Sequence, residues 1–231
     1  MITVPPTTLA VTGSDVRFPV RRVYCVGRNY ADHAREMGSD PDREPPFYFT
    51  KPADAVFPAA EDYRGGPPGV VPYRPLTHNL HHEIELVIAI GTPVIDASAS
   101  TTLQHVWGYA VGVDLTRRDL QDEAKATRRP WDLAKVFDAS GPLSALVPAE
   151  NVNPHEGRIW LTVDGQLRQE GDLADQIWPV ADVIAHLSAS VALQPGDLIM
   201  TGTPAGVGPV DAGQTVDGGI EGIGEVTFVV K

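Results

Sequence analysis

His81-His82-Glu83-Ile84-Glu85-Leu86-Val87-Ile88-Ala89-Ile90 is an apolar run opened by two glutamates. It reads as a buried strand over 82–90. Strand side chains alternate between faces, so Glu83 and Glu85 share one. Two carboxylates side by side do not both ionise cheaply without a cation between them. A hard divalent metal with oxygen ligands resolves that conflict. Taken alone, an E-x-E pair describes a solvated strand face equally well, so the metal reading needs a third ligand.

Asp114 supplies one. It closes a second apolar strand, 106–115, where a charged helix begins over 116–128. Thr116 and Asp119 read as the capping pair of that helix, and Pro130 ends it. Three carboxylates favour Mg2+, Mn2+ or Ca2+. His81, on the face of Glu83 and Glu85, is the zinc alternative, but zinc sites usually hold more than one nitrogen or sulfur ligand. Octahedral Mg2+ has about six positions, so three monodentate carboxylates leave roughly three. A ligand with two adjacent oxygens, such as a 2-oxo acid or an enolate, fits there beside one water. Three carboxylates around a divalent ion also leave a net charge of about −1. An anionic substrate therefore calls for flanking cations, and Arg118, Lys135 and Lys51 are the nearest along the chain.

A second pair, His33 and Glu36, is three apart in a short helix expected over 30–37, which places both on one face. A carboxylate beside an imidazole orients it as a general base toward water. Gly27, Gly38 and the proline-rich loop 39–46 flank this helix, as they would flank a lid. Gly202-Thr203-Pro204-Ala205-Gly206-Val207-Gly208 lacks the lysine and the following helix of a phosphate loop, so it reads as a ligand-contacting turn that offers the Thr203 hydroxyl and backbone N–H groups. No G-x-S-x-G elbow occurs.

Composition narrows the class. The 231 residues are 42% hydrophobic, enough for a proper core, and the formal charge is −12. Without a basic block, neither nucleic acid nor an anionic membrane is an expected partner. The single cysteine, Cys25, sits in an apolar stretch and reads as a small buried hydrophobe. The start, Met1-Ile2-Thr3-Val4-Pro5-Pro6, lacks a signal-peptide pattern, so a cytoplasmic protein is expected. Residues 1–20 read as an N-terminal arm and 21–231 as one catalytic domain. Strands over 22–26, 47–50, 159–163, 166–169 and 198–200, with an Asp164-Gly165 hairpin turn, outnumber the helices, of which another is expected over 178–187. Residues 62–75 read as a surface excursion. The fold class is mixed α+β, mainly β, and a doubly wound sheet or TIM barrel is excluded by the lack of regular alternation.

Several ordered motifs carry a resemblance. Val26-Gly27-Arg28-Asn29-Tyr30-Ala31-Asp32-His33, Phe49-Thr50-Lys51-Pro52, His82-Glu83-Ile84-Glu85-Leu86, Asp114-Leu115-Thr116-Arg117-Arg118-Asp119-Leu120-Gln121, Lys135 with Phe137-Asp138, and Leu198-Ile199-Met200-Thr201-Gly202-Thr203-Pro204 together resemble the fumarylacetoacetate hydrolase family, in its short acylpyruvate hydrolase form. That resemblance implies the family's β-roll with few helices and a homodimer. It implies Mg2+ or Mn2+ on Glu83, Glu85 and Asp114, with no organic cofactor. His33 and Glu36 become the water-activating dyad and Lys135 the stabiliser of developing negative charge. Arg28, Asn29, Lys51, Arg118, Gln121 and Thr203 become substrate-site residues. The implied reaction is hydrolysis of the C–C bond of a 3-acylpyruvate, a small anionic 2-oxo acid, such as fumarylpyruvate to fumarate and pyruvate in gentisate-type aromatic degradation. Oxaloacetate decarboxylation or 2-oxo acid isomerisation on the same scaffold, and non-catalytic binding of 2-oxo acids, are the alternatives.

Overall fold

The computed structural model describes residues 2, 5–36, 45–61, 69–73 and 75–231, apart from the side chains at 34 and 36. The side chain of Glu36 therefore lies outside the described residues, as do most of the loop 39–46 and the excursion 62–75.

The molecule is mainly β, with five short α-helices among the described residues. Its largest sheet has eight strands. Along its main path, Phe47–Lys51, Arg22–Gly27, Asp197–Met200, Ile84–Ile90, Val106–Val113, Gly141–Leu143 and Val56–Pro58 follow one another, and Val147–Pro148 pairs with Val106–Val113 beside that path. Arg22–Gly27 and Asp197–Met200 run parallel, whereas Ile84–Ile90 is antiparallel to both of its neighbours. A five-stranded sheet packs on one face, and residues 8–19 pack on the other as an antiparallel hairpin.

Period two explains this sandwich. Ile84, Leu86, Ile88 and Ile90 join the core formed with Leu161, Val163, Val216 and Phe228. Val87 and Ala89 point the other way, into the core formed with Leu9, Val11 and Phe18. Both faces are covered, so the strand is apolar without interruption except at Glu85, which falls on the Val87 face.

Several expected elements are present. Asp164 and Gly165 both adopt positive φ, 50° and 73°, at the turn between Arg158–Val163 and Gln166–Asp172, as a tight hairpin requires. The expected helices correspond to Ala31–Glu36, Arg118–Thr127 and Val180–Ser190. Two details differ. The strand expected over 82–90 breaks at Glu83, between Leu80–His82 and Ile84–Ile90, because Leu80–His82 leaves to join a separate three-stranded sheet. The Thr116–Asp119 cap does not form. Thr116–Arg117 is a two-residue strand paired with Leu80–His82, and Asp119 instead accepts from the Thr77 hydroxyl and the His78 N–H. No helix among the described residues is long and apolar enough to cross a membrane.

Candidate functional site

The site forms where three strand ends meet. Glu85 sits at the start of Ile84–Ile90, Asp114 follows Val106–Val113, and the break at Glu83 lets the Asp114 N–H bond to the Glu83 carbonyl at 2.8 Å. Glu83, Glu85 and Asp114 are all buried, and their ligand oxygens lie within 4.8 Å of one another.

Three buried cations close on this trio. Lys135, at the end of the short helix Asp132–Lys135, reaches Glu83 Oε2 at 2.9 Å and Asp114 Oδ2 at 2.6 Å. Lys51 pairs with Asp114 Oδ1 at 2.9 Å, and Arg118 pairs with Glu83 Oε1. Burial opposes the charge on Lys135, yet Asp114 and Glu83 overcome it and push the ammonium above its ordinary range. Burial likewise works against ionised Glu83, but Lys135 and Arg118 hold its carboxyl well below the usual range. Glu85 goes the other way. Burial, then Asp114 and Glu83, push it well above its ordinary value. Among the described residues it has no ion pair, only the Gly202 N–H at 2.7 Å.

Gly202 is required at that point. Its φ is +93°, and a Cβ there would stand 2.8 Å from the Asn29 Cβ. The donor set is thus three hard oxygens, one of them without a cation. It fits Mg2+ or Mn2+. The zinc alternative through His81 does not hold. His81 accepts from Arg118 Nε at 3.4 Å and contacts Asn79, and burial and Arg118 lower its pKa to about 4. It braces the arginine.

A small cavity of about 40 Å³ opens onto Glu83 and Glu85. Arg28, His33, Arg118, Gln121, Lys135 and Thr203 line it, together with Phe47, Phe49 and Trp131. Gln121 accepts from Arg118 at 2.5 Å, which fixes the guanidinium against Glu83. Arg28 adopts a positive φ of 58° and lies over the Phe47 ring. His33 is buried, and its proximity helps to keep Glu83 ionised.

Two expected substrate contacts have other work. Asn29 is wholly buried. Its amide donates to the Trp178 and Thr201 carbonyls and accepts from the Trp178 N–H, stapling the segment before the 31–36 helix to the 201 turn. Lys51 lies behind Asp114, bonded also to Ser140 Oγ and the Lys135 carbonyl, and does not line the cavity. The aromatic wall and Gln169 behind Thr203 were not expected, and the turn's backbone N–H at Gly202 is spent on Glu85, not left for a ligand. Phe47 and Phe49 share a strand face, a signal the sequence does carry.

Comparison places this site in a family. Residues 22–231 match the family described as fumarylacetoacetate (FAA) hydrolase C-terminal. The chain belongs to the fumarylacetoacetate hydrolase family, a family of enzymes. Among solved structures it is similar to fumarylpyruvate hydrolase from Pseudomonas aeruginosa in complex with Mn2+ and pyruvate, at 50% identity, covering 100% of this chain and 98% of that one, with a TM-score of 0.94. It is 43% identical over 212 residues to the Homo sapiens protein named oxaloacetate tautomerase FAHD1, mitochondrial, covering 91% of this chain and 92% of that one. It is also 38% identical over 204 residues to the Dictyostelium discoideum oxaloacetate decarboxylase, mitochondrial, covering 88% and 90%.

Proposed function

We propose that this protein is a divalent-metal-dependent hydrolase of 3-acylpyruvates, converting fumarylpyruvate to fumarate and pyruvate. The observation that carries this is the charge count. Three cations already share the site with three carboxylates, paired with Glu83 and Asp114 and not with Glu85. A divalent ion on Glu83, Glu85 and Asp114 would therefore leave about two positive charges, where the carboxylates alone would leave the site negative. Such a surplus in a buried cavity suits a dianion, as fumarylpyruvate is. The similarity to a fumarylpyruvate hydrolase that holds Mn2+ and pyruvate supports the same assignment.

Bound there, Mg2+ or Mn2+ would supply Lewis acidity toward the 2-oxo acid end of the substrate. The chain's own residues do the rest. Arg28, Gln121 and the Thr203 hydroxyl orient the substrate's oxygens. His33 takes a proton from water, whose oxygen attacks the distal acyl carbonyl. The bond between that carbon and C3 of the pyruvyl unit breaks, and its electron pair passes to the pyruvyl unit as an enolate. Lys135 and Arg118 stabilise this negative charge. Proton return to C3 gives pyruvate.

A second reading, tautomerisation or decarboxylation of oxaloacetate, draws support from the names of the curated relatives. It uses the same enolate stabilisation and needs no attacking water. Ultraviolet absorbance of enolised acylpyruvates, followed with Mg2+ and with EDTA, separates the two when the products are identified. Fumarate plus pyruvate is expected. Activity confined to oxaloacetate, with CO2 release or enol–keto exchange, would replace the hydrolase reading. The family resemblance further supports a homodimer, tested by sedimentation, with 21–231 as the catalytic domain.

A further inference from the structure

Gln169 lies outside the cavity, yet it touches the residues that flank Glu83 and the turn that carries Thr203. It is 1% exposed, and its four hydrogen bonds use every polar position of the amide. Its oxygen accepts from the Ile84 N–H at 3.1 Å and bonds His82 Nδ1 at 2.9 Å. Its nitrogen donates to the Thr203 hydroxyl at 2.7 Å and the Pro204 carbonyl at 2.9 Å.

The amide cannot be flipped. A backbone N–H stands on one side and a backbone carbonyl on the other, which fixes oxygen and nitrogen by chemistry. Two consequences follow. His82 Nδ1 must carry the proton. The Thr203 oxygen must accept from Gln169, so its own proton is left to point elsewhere, and Thr203 lines the cavity.

A β-bulge puts Gln169 in this position. Leu161 pairs with Gln169 and the adjacent Thr162 with Leu167, so Arg168 is the extra residue. With regular pairing, Arg168 would stand opposite Leu161 and point inward, and Gln169 would face solvent. The turn beyond Thr203 is seated on this bulge. A Cβ on Gly206 would stand 2.1 Å from the Arg168 carbonyl oxygen, and one on Gly171 would stand 2.9 Å from Pro204.

We propose that Gln169 is a positioning residue for the site: its oxygen holds the strand break that presents Glu83, and its nitrogen makes the Thr203 hydroxyl a donor toward the substrate. This rests on the metal and substrate roles proposed above. Neither end of the amide touches the substrate. Its effect passes through Glu83 and Thr203.

The two ends are separable by substitution. Gln169→Glu keeps an acceptor for the Ile84 N–H and His82 but gives Thr203 an acceptor in place of a donor, which turns the hydroxyl proton inward. Gln169→Met removes both functions. Calorimetry on metal-stripped protein would measure Mn2+ affinity, and on Mn2+-loaded protein it would measure pyruvate affinity. Gln169→Met is expected to weaken Mn2+ by about 10–100-fold, the range for partners that orient ligands. Gln169→Glu is expected to restore Mn2+ affinity to near wild type while pyruvate binding stays about tenfold weaker, as when a buried polar partner is mismatched. Thr203→Val should weaken pyruvate similarly, and adding Gln169→Glu to it should weaken pyruvate no further. Wild-type affinities for both ligands in Gln169→Met, or additive losses in the double variant, would overturn the proposal. If Gln169→Met does not fold, the Gln169→Glu and Thr203→Val cycle decides alone. Absence of Mn2+ binding by the wild-type protein would instead overturn the metal site, and the proposal with it.

Discussion

Two places in this molecule bury carboxylates, and they are satisfied in opposite ways. Asp197, at the start of a central strand, is fully buried and receives Arg21 at 2.8 Å, Arg22 at 3.3 Å and the Gln194 N–H at 2.9 Å. Both arginines keep about 40% of their side chains in solvent. This carboxylate needs nothing further. At the cavity, Glu83 and Asp114 share three buried cations while Glu85 has none among the described residues. The first arrangement is complete as folded. The second leaves one carboxylate facing two like charges, so it gains by taking up a cation. Burial of acidic side chains thus does not mark a site, but an unmatched one within a matched cluster does.

Breaking the matched cluster should have the largest effect. Asp114→Ala strands Lys51 in the interior, leaves Lys135 with Glu83 as its remaining partner, and removes a proposed metal ligand. A cost of about 3–5 kcal/mol in urea unfolding is expected, the range for splitting a buried pair, together with loss of Mn2+ binding. Lys135→Met should come next. Turnover is expected to fall by about 10²–10³-fold, as when a stabiliser of transition-state charge is removed. Mn2+ should bind at least as tightly, because a competing cation has gone. Weaker Mn2+ binding in that variant would show that Lys135 organises the carboxylates instead of competing for them.

Asp197→Asn tests the other half of the comparison. It should cost about 1–3 kcal/mol, the penalty of weakened buried bonds, with turnover and Mn2+ affinity unchanged. The smallest change is expected from Glu85→Gln in metal-free protein. Because the folded carboxyl is raised by burial, Asp114 and Glu83, the native state keeps a proton that the unfolded chain has lost. Stability should therefore fall as pH rises from the ordinary carboxylate range toward the folded value. The glutamine variant lacks that loss. Its metal-free form should melt above wild type at neutral pH, by about 2–4 °C for each kcal/mol relieved. With Mn2+ present the order should reverse.

The same contrast explains what could be read from the chain. Glu83, Glu85 and Asp114 were legible because alternation and strand ends are local properties, and Asp164-Gly165 announced its turn by composition. The charge state of the site was not. Arg118, Lys135 and Lys51 were expected as flanking cations for a substrate, but nothing local shows that all three pair directly with Glu83 and Asp114. Asn29 was a substrate-site residue through the resemblance alone, whereas its amide is spent on Trp178 and Thr201. Gln169 was invisible for a sharper reason. Counting by twos along 166–172 faces it outward, and only one extra residue in the ladder turns it in.

The order of strands in the large sheet has a consequence for how the protein comes into being. Asp197–Met200 lies between Arg22–Gly27 and Ile84–Ile90, yet it is the last of the three to be synthesised. Until it arrives, the growing chain holds two strands with an open slot between them, and Glu85 lacks the Gly202 N–H. Such long-range insertion is slow and leaves edges exposed while it waits. The nascent protein thus lacks one partner of the proposed metal trio, the Gly202 N–H on Glu85, until late in synthesis. It must close the sheet first, which ties competence for chemistry to near-completion of the chain.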